Sequence, residues 1–317
     1  MTQVVLNIFA ALADPTRLRI FALLREMELS VGELAQVLGQ SQPRVSRHIK
    51  ILVDAGVAQR RREGSWTFLG LGETALVMPL LAAVDAWSAQ DGEDHWVIAD
   101  AARLVAVRAD RARAAEEYFN AHAAEWDAIR SLHVAEIEVE DAIRAVLGSG
   151  EIGRLVDIGT GTGRMIELFG AAAVSTIGID RSPEMLRLAR AKLAGAGLQD
   201  VDLRQGDMYA LPLASETADS VIIHQVLHYA QQPDAAIVEA ARLLAPGGRL
   251  LVVDFGPHEK EDLRSRHAHA RLGFTDEQMA GWFTASGLKS EPPRQLAGGE
   301  LTVKLWLGRK LLNGMKL

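Results

Sequence analysis

Three glycines at alternate positions, Gly159, Gly161 and Gly163, sit in the run Val156-Asp157-Ile158-Gly159-Thr160-Gly161-Thr162-Gly163-Arg164. Glycines so spaced allow a sharp turn and let backbone N–H groups approach a ligand with no Cβ in the way. Asp180 lies seventeen residues after Gly163 and closes the apolar run Ile177-Gly178-Ile179. A carboxylate at the end of the second strand of a doubly wound sheet can hold the two hydroxyls of a ribose. Turn and acid together are nucleoside chemistry. The spacing is not the G-x-G-x-x-G of a dinucleotide site, whose pyrophosphate rests on a helix N-terminus. Asp157, just ahead of the turn, would repel a pyrophosphate and tolerates a ligand without phosphate.

A second group of chemically able residues follows. His224, His228, His258, His267 and His269 are five of the nine histidines in the chain. Any of them can serve as a base or line a pocket, and His228 and His258 are the candidate catalytic bases. Polar rim residues are the plainer reading. His267 and His269, two apart on an expected helix, diverge, so no metal site is expected. With zero cysteines the chain has no disulfide, thiolate metal site or cysteine nucleophile.

A third group is cationic. The 317 residues carry a net charge of −7, yet residues 1–72 hold nine Lys/Arg against six Asp/Glu, so the remainder is acidic. Residues 40–66 alone hold six Lys/Arg against two acids. That bias fits a polyanion at the front of the chain and not behind it. A solvated basic face on a small helical domain is the bland alternative.

These residues need elements to position them. In the cationic region, Asp14 and Pro15 break residues 4–26 into two helices. Ser30-Val31-Gly32-Glu33 forms a capping box for a helix through Leu38 that stops at Gly39. Ser41 caps a helix to about Ala55 that turns Val45, Ile49 and Leu52 inward and leaves Gln42, Arg44, Arg47, His48 and Lys50 off that stripe. Strands Val57–Arg62 and Trp66–Leu71 flank a turn at Glu63-Gly64-Ser65, with Arg60, Arg61 and Arg62 just before it. Two helices joined by a tight turn and followed by an arginine-tipped hairpin make a winged helix-turn-helix, whose second helix enters the DNA major groove. Ser41, Gln42, Arg44, Arg47, His48, Arg60, Arg61 and Arg62 are the candidate DNA-contacting residues.

Residues 73–150 read as a helical connector, broken near Gln90–Asp94, with a long helix from about Val97 to Leu132 and another over Ile137–Leu147. From Arg154, apolar strands at 154–158, 175–179, 201–204, 218–223 and 249–254 alternate with helical patterns, an α/β doubly wound parallel sheet. The segment Asp254 through Phe274 would pack over the pocket mouth, Thr275–Ser286 is a capped helix, and Leu301–Leu307 is the closing, antiparallel strand. The expected domains are 1–72, 73–150 and 151–317. No stretch is apolar for long enough to span a membrane and no basic-then-apolar leader starts at Met1, so a soluble, cytoplasmic chain is expected.

Leu12-Ala13-Asp14-Pro15-Thr16-Arg17-Leu18-Arg19-Ile20, Ser41 through Leu52, and Ala55-Gly56-Val57 resemble the ArsR-type winged-helix repressors over about seventy residues. The resemblance implies a homodimer reading a pseudo-palindromic double-stranded operator. The chain departs from the metal-sensing members: their cysteines are missing from Val31–Leu38, and Asp85-Ala86-Trp87 does not supply their aspartate–histidine pair.

The D-x-G-x-G-x-G turn, Asp180-Arg181-Ser182-Pro183-Glu184-Met185-Leu186, Gln205-Gly206-Asp207-Met208 through Leu211-Pro212, Ala218 through Tyr229, and Leu244-Ala245-Pro246-Gly247-Gly248-Arg249-Leu250 together resemble class I S-adenosylmethionine-dependent methyltransferases, most closely the ubiquinone/menaquinone type. That implies a Rossmann-like domain binding S-adenosylmethionine or S-adenosylhomocysteine. Asp180 would hold the ribose and Asp207 the adenine amino group. Gly159, Gly161 and Gly163 would surround the methionine moiety, with Asp157 near its amino group and Arg181, Met185, Met208 and His224 as further lining. Tyr118-Phe119, His122 and Trp126-Asp127 resemble the aromatic lead-in folded over the cofactor in small-molecule methyltransferases, although aromatics at helical spacing also build plain core. Two functions are compatible with this pairing: a DNA-binding regulator with the nucleotide as effector, or a working small-molecule methyltransferase whose winged helix dimerises or autoregulates it.

Overall fold

Asp14 ends one helix and starts the next. Helix α1 (Thr2–Leu12) stops short of it, and its side chain accepts the Arg17 backbone N–H at 3.1 Å to cap α2 (Pro15–Glu26). Such a cap contributes about 1 kcal/mol. Strand β1 (Leu29–Ser30) leads into α3 (Val31–Leu38), opened by the reciprocal Ser30–Glu33 capping box and closed by Gly39 at φ +64°. Helix α4 (Gln42–Asp54) follows; Ser41 holds its N-cap position without a side-chain capping bond, so its hydroxyl is not spent on the helix. Strands β2 (Ala58–Glu63) and β3 (Trp66–Leu71) complete an antiparallel sheet in the order β1-β3-β2. Helices α5 (Thr74–Ser88) and α6 (His95–His122) come next.

This computed structural model describes residues 2–63, 66–88, 95–123, 135–148, 151–198, 200–298 and 301–312. The expected turn at Gly64-Ser65, the break at Gln90–Asp94, the end of the expected long helix toward Leu132 and Trp126-Asp127 within it lie outside the described residues. The chain divides into two compact units, Met1–Ala112 and Arg113–Leu317. The division falls within α6, so the helices of residues 73–150 belong partly to each unit.

In the first unit, Ile20, Phe21 and Leu24 of α2, Leu34 and Leu38 of α3, and Val45, Ile49 and Leu52 of α4 form one buried cluster with Leu69, Leu104 and Val107. Arg19 ties this cluster to α6. Its guanidinium donates to both carboxylate oxygens of Asp100, each at 2.6 Å, and stacks over Trp96 at 4.5 Å.

In the second unit, α7 (Glu136–Leu147) precedes β4 (Gly153–Ile158), α8 (Arg164–Phe169), β5 (Ala173–Asp180), α9 (Pro183–Gly195), β6 (Asp202–Gln205), β7 (Ala218–His224), α10 (Pro233–Leu243) and β8 (Leu244–Phe255). Helices α11 (Asp262–His267) and α12 (Asp276–Ala285) then lead to β9 (Leu288–Ser290), β10 (Arg294–Gly298) and β11 (Leu301–Lys310). The sheet runs β10-β11-β8-β7-β4-β5-β6, with β9 pairing β11. Strands β4 to β8 are parallel to their neighbours, and β11 is antiparallel to β8. Successive strand residues face opposite sides. Val221, Ile223, Leu250 and Val252 thus share a core with α10 and α12, whereas Ile222, Leu251 and Val253 share one with α7 and α8. The order reverses between β4 and β7, the switch point outside which such sheets bind ligands.

Two outcomes follow. Replacing Asp100 by Ala strands the Arg19 guanidinium, whose side chain is 13% exposed against 6% for Asp100. The loss should be about 3–5 kcal/mol of first-unit stability, read as a lower denaturant midpoint. On the sheet, Arg154 donates to both carboxylate oxygens of Asp219 and holds that acid down to about 2. Its contribution is present above the usual aspartate value of 3.8 and is lost as pH falls toward about 2. Both side chains are some two-fifths exposed, so screening keeps the effect small. Asp219→Asn should flatten the acid limb of the stability curve in that window and leave its neutral slope unchanged.

Candidate functional site

The loops after β4, β5 and β6 are sewn together at Ile179 and Asp180. The N–H groups of Gly159 and Thr160 donate to the Ile179 carbonyl at 2.8 and 3.0 Å. Gly161 N–H donates to Asp180 Oδ2 at 2.8 Å, Ser182 N–H donates to Asp180 Oδ1 at 2.9 Å, and Gly206 N–H donates to the Asp180 carbonyl at 3.0 Å. Gly159, Gly161 and Gly163 all adopt positive φ, at 70°, 53° and 83°. At Gly159 a Cβ would lie 2.7 Å from both methyls of Val226, so the position excludes any side chain. Behind the turn, Arg164 pairs with Glu140 of α7 and with Glu167, each at 2.7 Å, anchoring its far end. Buried Asp157 accepts the Thr160 hydroxyl at 2.7 Å.

Burial pushes the Asp180 carboxyl up, and the backbone N–H groups of Ser182, Gly161 and Arg181 oppose that. These three donors leave at least one of the roughly four acceptor positions of an ionised carboxylate for a ribose hydroxyl. With a turn that admits no Cβ at Gly159, these residues fit an adenosyl amino acid.

The other expected lining residues separate. Asp207 stands at the end of β6, where Oδ1 accepts the Tyr209 N–H at 3.1 Å and Oδ2 lies 3.9 Å from the Arg181 guanidinium. Half-buried Met208 packs against the core, and His224 is buried at the carboxyl end of β7. Met185 is different. It is buried in the core of the sheet's α10–α12 side, so its side chain is a packing group.

Among the histidines, His228 is set apart by Asp254. Asp254 was not singled out from sequence as its partner, although an acid closing an apolar strand repeats the pattern of Asp180. His228 Nδ1 lies 2.8 Å from Asp254 Oδ1, and the His228 and Phe255 backbone N–H groups also donate to this carboxylate. His258 differs: its Nδ1 accepts the Lys260 N–H at 3.2 Å, which leaves the ring proton on Nε2. His267 ends α11, and Ala268 turns the chain at φ +54°, so His269 is not on that helix. Burial and the nearby His122 lower the His267 pKa. Among the described residues, no group of three or more His, Cys, Asp or Glu could hold a metal ion, and no helix is long and apolar enough to cross a membrane.

In the first unit, α4 presents Ser41, Gln42, Arg44, Arg47 and Lys50 to solvent, opposite its buried stripe. Ser41, Pro43, Arg44, Arg47, His48 and Ile51 line a concavity of about 400 Å³. His48 is half-buried with Nδ1 3.6 Å from Asp14, and Lys50 is paired to Asp54 at 2.7 Å. On the wing, strand alternation divides the three arginines. Arg60 and Arg62 are exposed, whereas Arg61 faces the other way, bonds Glu28 at 2.8 Å and lies over Phe68.

Residues 156–252 match the family described as a methyltransferase domain, and residues 14–60 match the bacterial regulatory protein arsR family. The ubiquinone/menaquinone biosynthesis C-methyltransferase of Syntrophotalea carbinolica is 37% identical over 140 residues, covering 42% of this chain and 58% of that protein. The chain spans about half the length of several of the curated methyltransferases it matches. The arsenic resistance transcriptional regulator of Pseudomonas putida is 38% identical over 98 residues, covering 31% of this chain and 74% of that protein. A solved S-adenosylmethionine-dependent methyltransferase of Thermotoga maritima superposes with a TM-score of 0.51 at 22% identity, over 61% of this chain and 99% of its own, a likeness of fold. Through its front unit the chain belongs to the arsR family of bacterial regulatory proteins, and it carries a methyltransferase domain behind that unit.

Proposed function

We propose that the chain is a transcriptional repressor that acts as a homodimer in the cytoplasm and takes S-adenosylmethionine or S-adenosylhomocysteine as its effector. The observation that carries this reading is the exposed Arg44 and Arg47 on the α4 face opposite the buried stripe, in a chain whose Asp180 carboxylate stands beside a turn that admits no Cβ at Gly159. Arg44, Arg47, Gln42 and Ser41 would meet base edges and phosphates in the major groove, and Arg60 and Arg62 would neutralise flanking phosphates. Exposed Val4, Val5 and Phe9 of α1, Met78 of α5, and Trp96 and Val97 of α6 supply apolar surface for a two-fold contact.

In the second unit, Asp180 would accept the ribose hydroxyls, Asp207 the adenine amino group, and the Gly159–Gly163 turn would enclose the methionine end. The bound sulfonium nucleotide supplies a methyl group activated for transfer. A working methyltransferase is the second reading, favoured by the buried His228–Asp254 pair at the same edge of the sheet.

For an effector role, the nucleotide must bind the operator-competent and incompetent forms with unequal affinity. Mobility-shift titration should show operator affinity changing with one of the two nucleotides; an affinity indifferent to both removes the effector reading. Arg44→Ala and Arg47→Ala should each cost about 1–3 kcal/mol of operator binding where they read a base. Arg60→Ala and Arg62→Ala should each lower the salt slope by about one, while Arg61→Ala leaves it unchanged. Asp180→Ala should abolish the calorimetric heat with both nucleotides and with it any ligand dependence of DNA binding.

A further inference from the structure

The two ring nitrogens of His48, on α4, meet different surroundings. Nδ1 is buried without a hydrogen bond and lies 3.6 Å from Asp14 Oδ1. The side chain is 16% exposed, on the side away from Nδ1, where it lines the concavity shared with Ser41, Pro43, Arg44, Arg47 and Ile51. Asp14 is itself fixed. Its Oδ1 accepts the Arg17 N–H at 3.1 Å and its Oδ2 lies 3.8 Å from Arg17 Nη1. The Arg17 side chain also donates to the Ala10 and Ala11 carbonyls at the end of α1. Other charges near the ring are few or already paired. Helix α1 has no ionisable side chain, and Glu33, the acid of α3, is held in its capping box. On α2, Arg19 pairs with Asp100, Arg25 pairs with Asp85, and Glu26 ends the helix. On α4, Arg44 and Arg47 share the concavity and Lys50 pairs with Asp54. The charges of β2 begin at Arg60, beyond the far end of α4.

Neither neutral tautomer suits both sides of this ring. A proton on Nδ1 faces Asp14 but leaves a lone pair at Nε2, which repels a phosphate oxygen. A proton on Nε2 serves a phosphate but leaves a buried lone pair at Nδ1 against a carboxylate. Only the imidazolium has a donor for each. We propose that His48 is a protonation-dependent contact to a DNA backbone phosphate, held by Asp14, so that DNA binding takes up a proton. The proposal rests on the DNA-binding reading above and adds to it a contact that solution pH turns on and off. Arg44 and Arg47 beside it stay charged throughout. A histidine ordinarily changes charge near pH ~6.5, and an adjacent carboxylate and a bound phosphate both favour its charged form. Binding therefore strengthens as pH falls through that region. The contact is to the backbone, so it is independent of base sequence.

The test titrates full-length wild type, His48→Gln and Asp14→Asn against a mixed-sequence DNA duplex of about 30 base pairs, room for half-sites a helical turn apart. Fluorescence anisotropy is followed over a series of NaCl concentrations at about pH 5.5 and about pH 8, on either side of the histidine range. The wild-type salt slope should be steeper at the lower pH by about one per bound protomer, the signature of one more neutralised phosphate. His48→Gln should bind the duplex with the shallower slope at both pH values. Asparagine still caps a helix, so Asp14→Asn should fold and move the change in slope to lower pH. In wild type, the NMR titration of the His48 ring should shift to higher pH when duplex is added, which tests the contact without any variant. An unmoved ring titration, a wild-type slope equal at both pH values, or a pH response that survives in His48→Gln overturns the assignment. With duplex binding intact, such a failure falls on His48 alone; no binding by wild type at either pH overturns the DNA-binding reading and this proposal together.

Discussion

The second unit is organised by what the Asp180 carboxylate does to its neighbours. Its two oxygens take the N–H of Gly161 and of Ser182, and its own carbonyl takes the N–H of Gly206. Three loops that would otherwise be separate strand ends become one rim. Hydrogen bonds to an ionised acceptor contribute more than neutral ones, about 1.5–3 kcal/mol, so the turn is held before any ligand arrives. Burial works against this by pushing the carboxyl up, and the converging N–H groups pull the other way and offset part of that cost. Loss of Asp180 therefore loosens the turn that frames the rest of the site.

Much of this arrangement is legible in the sequence. The glycines were legible because positive φ leaves glycine nearly alone as an occupant. The capping box at Ser30–Glu33 and the cap of the helix after Thr275 are both present, since their partners are three residues apart and need no tertiary context. Strand alternation likewise places Val221 and Ile222 in different cores. Ser41 was less transparent. A serine at an N-cap position usually bonds its helix, yet here it does not, and only the backbone geometry reveals that.

The rest depended on which elements meet. Arg60, Arg61 and Arg62 look equivalent in sequence; period-two alternation separates them, but which face meets an acid depends on where Glu28 lies across the sheet. His228 and Asp254 are 26 residues apart and meet because β7 and β8 are neighbours. Met185 sits in a motif that the methyltransferase resemblance links to the cofactor, and helical phase turns it into the core. Arg19 and Asp100 are 81 apart, beyond any local pattern.

Sensor and enzyme make different demands on this rim. Ribose and adenine are common to S-adenosylmethionine and S-adenosylhomocysteine, so in the proposed site Asp180 and Asp207 would act on both and would not tell them apart. The two nucleotides differ only at sulfur, by one methyl group and one positive charge. Discrimination must come from groups near that atom; in the proposed pose these would be the groups at the glycine turn and the carboxyl ends of β4 and β7, the edge where His224 and the His228–Asp254 pair lie. An effector that binds both protein states equally shifts nothing, and a full reversal of a two-state balance needs about 10⁴-fold unequal affinity. The groups at sulfur therefore bear on both readings: they set which nucleotide is preferred, and in an enzyme they also meet the acceptor. A change there should alter preference between the nucleotides, whereas a change at Asp180 should weaken both alike.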